Sequence, residues 1–208
     1  EYNCLIAQSG GPTSAINATL AGIYSAADKN SAVNKIYGGL NGIEGIIKGK
    51  IVDLKPILGE YGNLGLLKTT PSSFLGSCRY KLKSCAENAD DYKKIFDVFK
   101  QYNIKYFFYI GGNDSMDTIL KLKEYQEEHP QGVNLIGVPK TIDNDLKSTD
   151  VTFGFNTAVN IVTEALGRLH TTAESHHRII VVEVMGRNAG WIALHGGIAG
   201  SADIILIP

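Results

Sequence analysis

The chain has 208 residues, 44% hydrophobic and 20% charged, with a formal charge of −1. That balance supplies a sizeable core and excludes an intrinsically disordered chain. Lysine and arginine are scattered rather than gathered into a basic tract, which excludes nucleic acid as a partner, and no apolar run has the length of a membrane span.

In chain order, short apolar runs alternate with longer amphipathic ones, the βαβ pattern of a parallel sheet flanked by helices. The expected strands are NCLIA (3–7), VNKIYG (33–38), KYFFYI (105–110), NLIGV (134–138), RIIVVEV (178–184) and DIILI (203–207). The segment from Leu54 to Ser84 is rich in Gly, Pro, Ser and Thr without a clean period, so loops are expected there, with Arg79 its notable charge. In ADDYKKIFDVFKQY, Tyr92, Ile95, Phe96, Phe99 and Tyr102 recur at three- and four-residue spacings and give a helix one apolar face. SMDTILKLKEYQEEH repeats the pattern with Met116, Ile119, Leu120 and Leu122. The longest expected helix is FGFNTAVNIVTEALGRLHTTAESHH. The fold class is therefore α/β, a Rossmann-like parallel sheet, with residues 1–150 expected to form one domain and 151–208 the first part of a second.

Cysteines 4, 78 and 85 form no C-x-x-C pair and leave an odd thiol under any disulfide scheme, which fits a reducing, cytoplasmic setting. The N-terminus lacks a basic start followed by an apolar stretch, so neither anchor nor signal peptide is expected. The chain starts without Met and stops at Pro208 directly after the strand-like ADIILI, as expected of part of a longer polypeptide.

IAQSGGP, FYIGGND and EVMGRNAG each follow an expected strand with glycine and then a helix, and parallel strands bring such loops to one sheet edge, where open α/β folds hold ligands. Backbone N–H groups at Gly10, Gly11 and Gly112, with Ser115 following, can receive phosphate oxygens. A single turn of this kind is more often a plain strand-to-helix connection, and none matches G-x-G-x-x-G or the P-loop. PKTIDND is the strongest local signal. It concentrates Lys140, Thr141, Asp143 and Asp145 in one loop after a strand, where the alternative is a solvated turn. Arg187 on a glycine turn suits phosphate or carboxylate, or a surface ion pair. His176 and His177 have no third ligand at a zinc-like spacing and are read as structural or surface residues.

Taken together and in this order, QSGGPTSAIN, FLGSCR, GGNDS, PKTIDND and VEVMGRNAGW resemble the motif set of the phosphofructokinase family over almost the whole chain. The resemblance implies a two-lobed fold with the second lobe incomplete here, and phosphoryl transfer to the 1-hydroxyl of fructose 6-phosphate with magnesium bridging the donor oxygens. It implies Asp143 as the base, Asp145 and Asn113 as magnesium contacts, and Thr141 beside the transferring group. Gly11, Gly112, Ser115 and Lys140 would lie on the donor, and Arg79 would neutralise charge on the phosphoryl oxygens. Met185, Gly186, Arg187 and Arg178 would hold the sugar phosphate, with Arg178 supplied across a subunit interface in oligomeric relatives. A homo-oligomer, dimer or tetramer, is implied.

Family members that use ATP commonly carry GGDGS or GGDGT, with glycine where Asp114 stands here. A carboxylate about 4 Å from an α-phosphate would cost about 4 kcal/mol at an effective dielectric near 20, a roughly thousandfold discrimination. Pyrophosphate ends before that space, and Lys140 replaces a glycine common in ATP users, so pyrophosphate is the expected donor. Some ATP-dependent relatives also have PKTIDND, and an ATP-dependent enzyme and a non-catalytic sugar-phosphate-binding subunit stay open. A nicotinamide dehydrogenase is disfavoured by the missing fingerprint. Asn113 departs from the family's usual metal-binding Asp, and GGPTSAIN from its GGDAPGMN.

Overall fold

The computed structural model describes residues 2–59 and 63–208. The chain divides into two compact units, Glu1–Lys140 and Thr141–Pro208, so PKTIDND is shared between them.

The first unit is built on a five-stranded sheet in the order β3-β2-β1-β4-β5. Its strands are β1 (Tyr2–Gln8), β2 (Val33–Gly39), β3 (Ile51–Asp53), β4 (Ile104–Gly111) and β5 (Asn134–Pro139). β1 pairs in parallel with β2 on one side and β4 on the other, and β4 with β5. β3 joins β2 antiparallel. The sequence pattern missed β3, because three residues are too few for an alternation to register. The expected loop region also holds two short helices, α3 (Lys55–Leu58) and α4 (Asn63–Leu67).

Alternation along β1 sends Leu5 and Ala7 to one face and Cys4 and Ile6 to the other, seeding two cores. One core receives α2 (Gly42–Ile47) and α5 (Ala89–Gln101) through Ile43, Ile46, Tyr92, Ile95, Phe96 and Phe99. The other receives α1 (Ile16–Asp28) through Ile16, Leu20 and Tyr24. The apolar face read for α5 is thus the buried one, with Tyr102 half-buried beyond its end. α6 (Asn113–Glu128) differs, because it buries Ser115, Thr118 and Leu122 while Leu120 is 54% exposed. Positions 115, 118 and 122 share one helical stripe, and 120 falls nearly opposite it.

Cys4 is fully buried, and burial pushes its thiol up to about 12. A thiol reagent at pH 8 is therefore expected to modify half-buried Cys78 and Cys85 in the folded protein and to reach Cys4 only after denaturation; peptide mass mapping reads this, and equal labelling of all three would contradict it. Because the unfolded thiol gives up its proton first, near its ordinary value of 9.0, stability is expected to fall as pH rises from there toward 12.

The second unit contains α7 (Phe155–His176) and α8 (Trp191–Ala199). Gly154, at φ +91, opens α7, and His177, left-handed at φ +48, ends it. His170 Nε2 donates to the Gly200 carbonyl at 2.7 Å and ties the two helices together. The expected strands at 178–184 and 203–207 are not formed. A strand is defined by a ladder with a neighbour, and among the described residues nothing pairs with either segment. Their apolar side chains stand open, Ile179 96% and Val181 86% exposed.

Candidate active site

β1 has its chain neighbour β2 on one side and β4, reached much later, on the other. The direction of winding thus reverses between β1 and β4, and the crevice beyond their carboxyl ends is where open α/β sheets bind ligands. Two of the glycine turns read from the sequence arrive there together. Gln8 pairs with Ile110, and Ser9 N–H donates to the Ile110 carbonyl at 2.9 Å, so Ser9-Gly10-Gly11 and Gly111-Gly112 leave the sheet side by side.

Gly10 stands at φ +75, a conformation that disfavours any side chain. Its N–H donates to the Cys78 carbonyl at 3.2 Å, and the Ser77 hydroxyl donates to the Gly10 carbonyl. These bonds draw residues 77–79 against the turn and form a hollow of about 310 Å³ lined by Gly10, Gly11, Pro12, Ser77, Cys78 and Arg79. Arg79 is exposed there, so a guanidinium and a glycine backbone share one concavity. Sequence reasoning gave roles to Arg79 and Gly11 but none to Ser77 and Cys78, which entered only as letters of FLGSCR.

On the β4 side, Gly111 packs so closely on α6 that an added Cβ would overlap Ser115 and come 2.6 Å from Ser9 Oγ. Ser9 and Ser115 hydroxyls are hydrogen-bonded to each other in that buried space. Gly111→Ala is therefore expected to destabilise the protein by about 1–3 kcal/mol in urea unfolding, and an unchanged midpoint would show that α6 gives way freely. Gly112 caps α6, whose first turn carries Asn113 and Asp114, both exposed. The helix N-terminus supplies partial positive charge and N–H groups suited to an anion.

Lys140 connects the two sides. Its N–H donates to the Gly111 carbonyl at 2.8 Å, extending the β4–β5 edge, and its ammonium donates to the Gly11 carbonyl. Only 6% of the residue is exposed, so its charge is held in place over the crevice. The sequence reading placed Lys140 on the donor; its grip on the glycine turn is an addition from the structure.

In the second unit, Thr141 and Asp143 share a tight turn in which Asp143 N–H donates to Thr141 Oγ1 at 3.0 Å. Asn144 is left-handed at φ +57, and its side-chain oxygen accepts the Thr152 N–H at 2.8 Å. These bonds fix the loop's course, leaving Asp143 half-buried and Asp145 exposed. Met185 and Arg187 are exposed on a turn closed by Ala189 N–H to the Gly186 carbonyl at 2.7 Å. Arg178 is exposed just beyond α7.

The phosphofructokinase family model matches residues 3–208. The chain belongs to the phosphofructokinase family. It is 38% identical to the pyrophosphate–fructose 6-phosphate 1-phosphotransferase of Halomonas elongata over 98% of this chain and 49% of that protein. It is 62% identical to ATP-dependent 6-phosphofructokinase 2 of Clostridium perfringens over 56% of this chain and 31% of that protein. The crystal structure of the pyrophosphate-dependent phosphofructokinase from Nitrosospira multiformis superposes with a TM-score of 0.84 at 38% identity, covering 98% of this chain and 51% of that one. The chain thus spans about half the length of these full-chain matches.

Among the described residues of this phosphofructokinase chain, no group of three or more His, Cys, Asp or Glu gathers to hold a metal ion. Oxygen donors suit a hard cation that keeps several waters. Asn113 offers an amide oxygen in the first turn of α6, and Asp145 an exposed carboxylate. Among the described residues no helix is long and apolar enough to cross a membrane.

Proposed function

We propose that this chain carries the donor-binding unit and part of the sugar-binding unit of a pyrophosphate-dependent phosphofructokinase, a cytoplasmic enzyme that transfers a phosphoryl group from pyrophosphate to the 1-hydroxyl of fructose 6-phosphate. The observation that carries the reading is the crevice between β1 and β4, where the buried Lys140 ammonium reaches the Gly11 turn and Arg79 lines the adjoining hollow. Positive groups at that point suit a compact, highly charged diphosphate.

In the proposed reaction Asp143 accepts the proton of the sugar hydroxyl as its oxygen attacks the nearer phosphorus, and the bond to the bridging oxygen breaks to release phosphate. Lys140 and Arg79 stabilise the charge that moves onto the phosphate oxygens, and the Gly11 and Gly112 backbone orients them, with Ser115 at the α6 N-terminus. Thr141 braces the Asp143 loop beside the transferring group. Asn113 and Asp145 are the residues proposed to hold magnesium, which would supply positive charge to neutralise the phosphate oxygens of the donor. Met185, Gly186 and Arg187, joined by Arg178 from a neighbouring subunit of a dimer or tetramer, are proposed to hold the sugar phosphate. Donor preference is attributed to Asp114, exposed in the first turn of α6, whose carboxylate would meet a nucleoside extension of the donor.

The deciding measurement is fructose bisphosphate formation by the full-length protein with magnesium pyrophosphate against magnesium ATP. Turnover with pyrophosphate and little with ATP is expected; equal rates would overturn the donor assignment. A second reading, ATP dependence, draws on the exposure of Asp114 to solvent and on the 62% identity to an ATP-dependent relative. A non-catalytic sugar-phosphate-binding subunit would show fructose 6-phosphate binding in calorimetry without turnover from either donor.

A further inference from the structure

The segment from Thr70 to Arg79 has no helix or strand, yet it delivers Arg79 to the edge of the Gly10–Gly11 turn. What fixes it is a pair of buried amides. Gln8 is fully buried at the end of β1, and Asn17 is almost as buried in the first turn of α1. The two are bonded to each other, Gln8 Nε2 donating to Asn17 Oδ1 at 3.1 Å. The second Gln8 N–H donates to the Ile16 carbonyl at 3.1 Å, while Gln8 Oε1 accepts Leu75 N–H and the Ser73 hydroxyl, each at 2.9 Å. Asn17 Nδ2 donates to the Thr70 and Ser72 carbonyls at 2.8 and 2.9 Å, and Asn17 Oδ1 accepts Phe74 N–H at 2.9 Å.

An amide side chain has two donor hydrogens and an oxygen with two accepting positions. Both side chains use all of theirs, and five of the bonds run to residues 70–75. Farther along, Leu75 accepts from Asn41 N–H at 2.8 Å, and Ser77 and Cys78 close on Gly10. Gln8 is only two residues before Gly10, so one buried joint governs both the glycine turn and the approach of Arg79.

We propose that the Gln8–Asn17 pair is a positioning element that sets Arg79 against the Gly10–Gly11 turn for a phosphate-bearing donor. The catalytic part of this inference rests on the function proposed above; the clasp itself does not. Asn17→Asp is the sharpest probe, because it keeps the shape and the two accepted bonds but turns a carboxylate oxygen toward the Thr70 and Ser72 carbonyls.

The experiment uses the full-length protein and two readouts. In hydrogen exchange, the Phe74 and Leu75 amides of Asn17→Asp are expected to exchange at least tenfold faster, with the β1 and β4 amides unchanged; unchanged exchange at 74 and 75 overturns the clasp. In donor kinetics, kcat/KM for pyrophosphate is expected to fall about twentyfold in the wild-type background but less than threefold further in Arg79→Ala, since coupled residues fail to add. Equal losses in both backgrounds overturn the route through Arg79. Should Asn17→Asp not fold, Gln8→Glu, which keeps the acceptors for Ser73 and Leu75, replaces it with the loosened bonds expected at Ile16 and Asn17. A wild-type protein that transfers phosphoryl from neither pyrophosphate nor ATP removes the proposed function and the route through Arg79 with it, while exchange still decides the clasp.

Discussion

Asp143→Asn is expected to lower kcat of the full-length protein with pyrophosphate by roughly a thousandfold, within the range that a positioned general base contributes. The substitution keeps size and planar shape and removes only the group proposed to take the sugar proton. Its loop is held by backbone and neighbouring side chains: Asp143 offers its N–H to Thr141, and Asn144 anchors the loop to Thr152. The variant should therefore fold, and calorimetry should show fructose 6-phosphate affinity within a few-fold of wild type while turnover collapses. Loss confined to kcat is what removal of a group acting in the transition state produces. Retention of more than a tenth of the wild-type kcat would take Asp143 out of the base role, and a parallel fall in substrate affinity would point to a disordered loop instead.

How far the sequence reveals this molecule depends on how local each signal is. β1, β2 and β4 were legible because each buries apolar side chains within a single short run, β5 because Leu135, Ile136 and Val138, all half-buried, crowd one short run, and α5 because its apolar residues repeat with the helical period. Leu120 was misassigned because a count of apolar residues does not fix the phase of a helix, and the buried stripe of α6 includes the polar Ser115 and Thr118. Segments 178–184 and 203–207 have strand composition, but a strand also needs a neighbour, which composition does not report. At the site, Lys140 and Arg79 were visible as charges among glycines. The Gln8–Asn17 pair was not, because its meaning lies in bonds to residues more than fifty positions away, while in the sequence it is two polar residues near a turn.

Asp114→Gly is expected to raise kcat/KM for ATP at least tenfold and to leave that for pyrophosphate within about threefold. The structure changes the size of this effect. At an effective dielectric near 20, a carboxylate about 4 Å from an α-phosphate costs about 4 kcal/mol, but at the dielectric of water the cost is about 1 kcal/mol. Asp114 is exposed in the first turn of α6, so water surrounds it and the charge term lies toward the lower figure, a factor of about five. The rest of the gain must come from the volume of the side chain. Asp114→Asn separates the two: it removes the charge and keeps the bulk, so it should recover about fivefold, with the remainder appearing only in the glycine variant. Lys140 is best left in place, because its ammonium holds the Gly11 carbonyl and its loss would disturb the donor turn in any background. The acidic first turn also complements the helix dipole, so Asp114→Gly should cost about 1 kcal/mol of stability and a few degrees of Tm. If both variants stay folded and neither improves ATP use, Asp114 serves the helix rather than donor choice, and the discrimination lies elsewhere in the crevice.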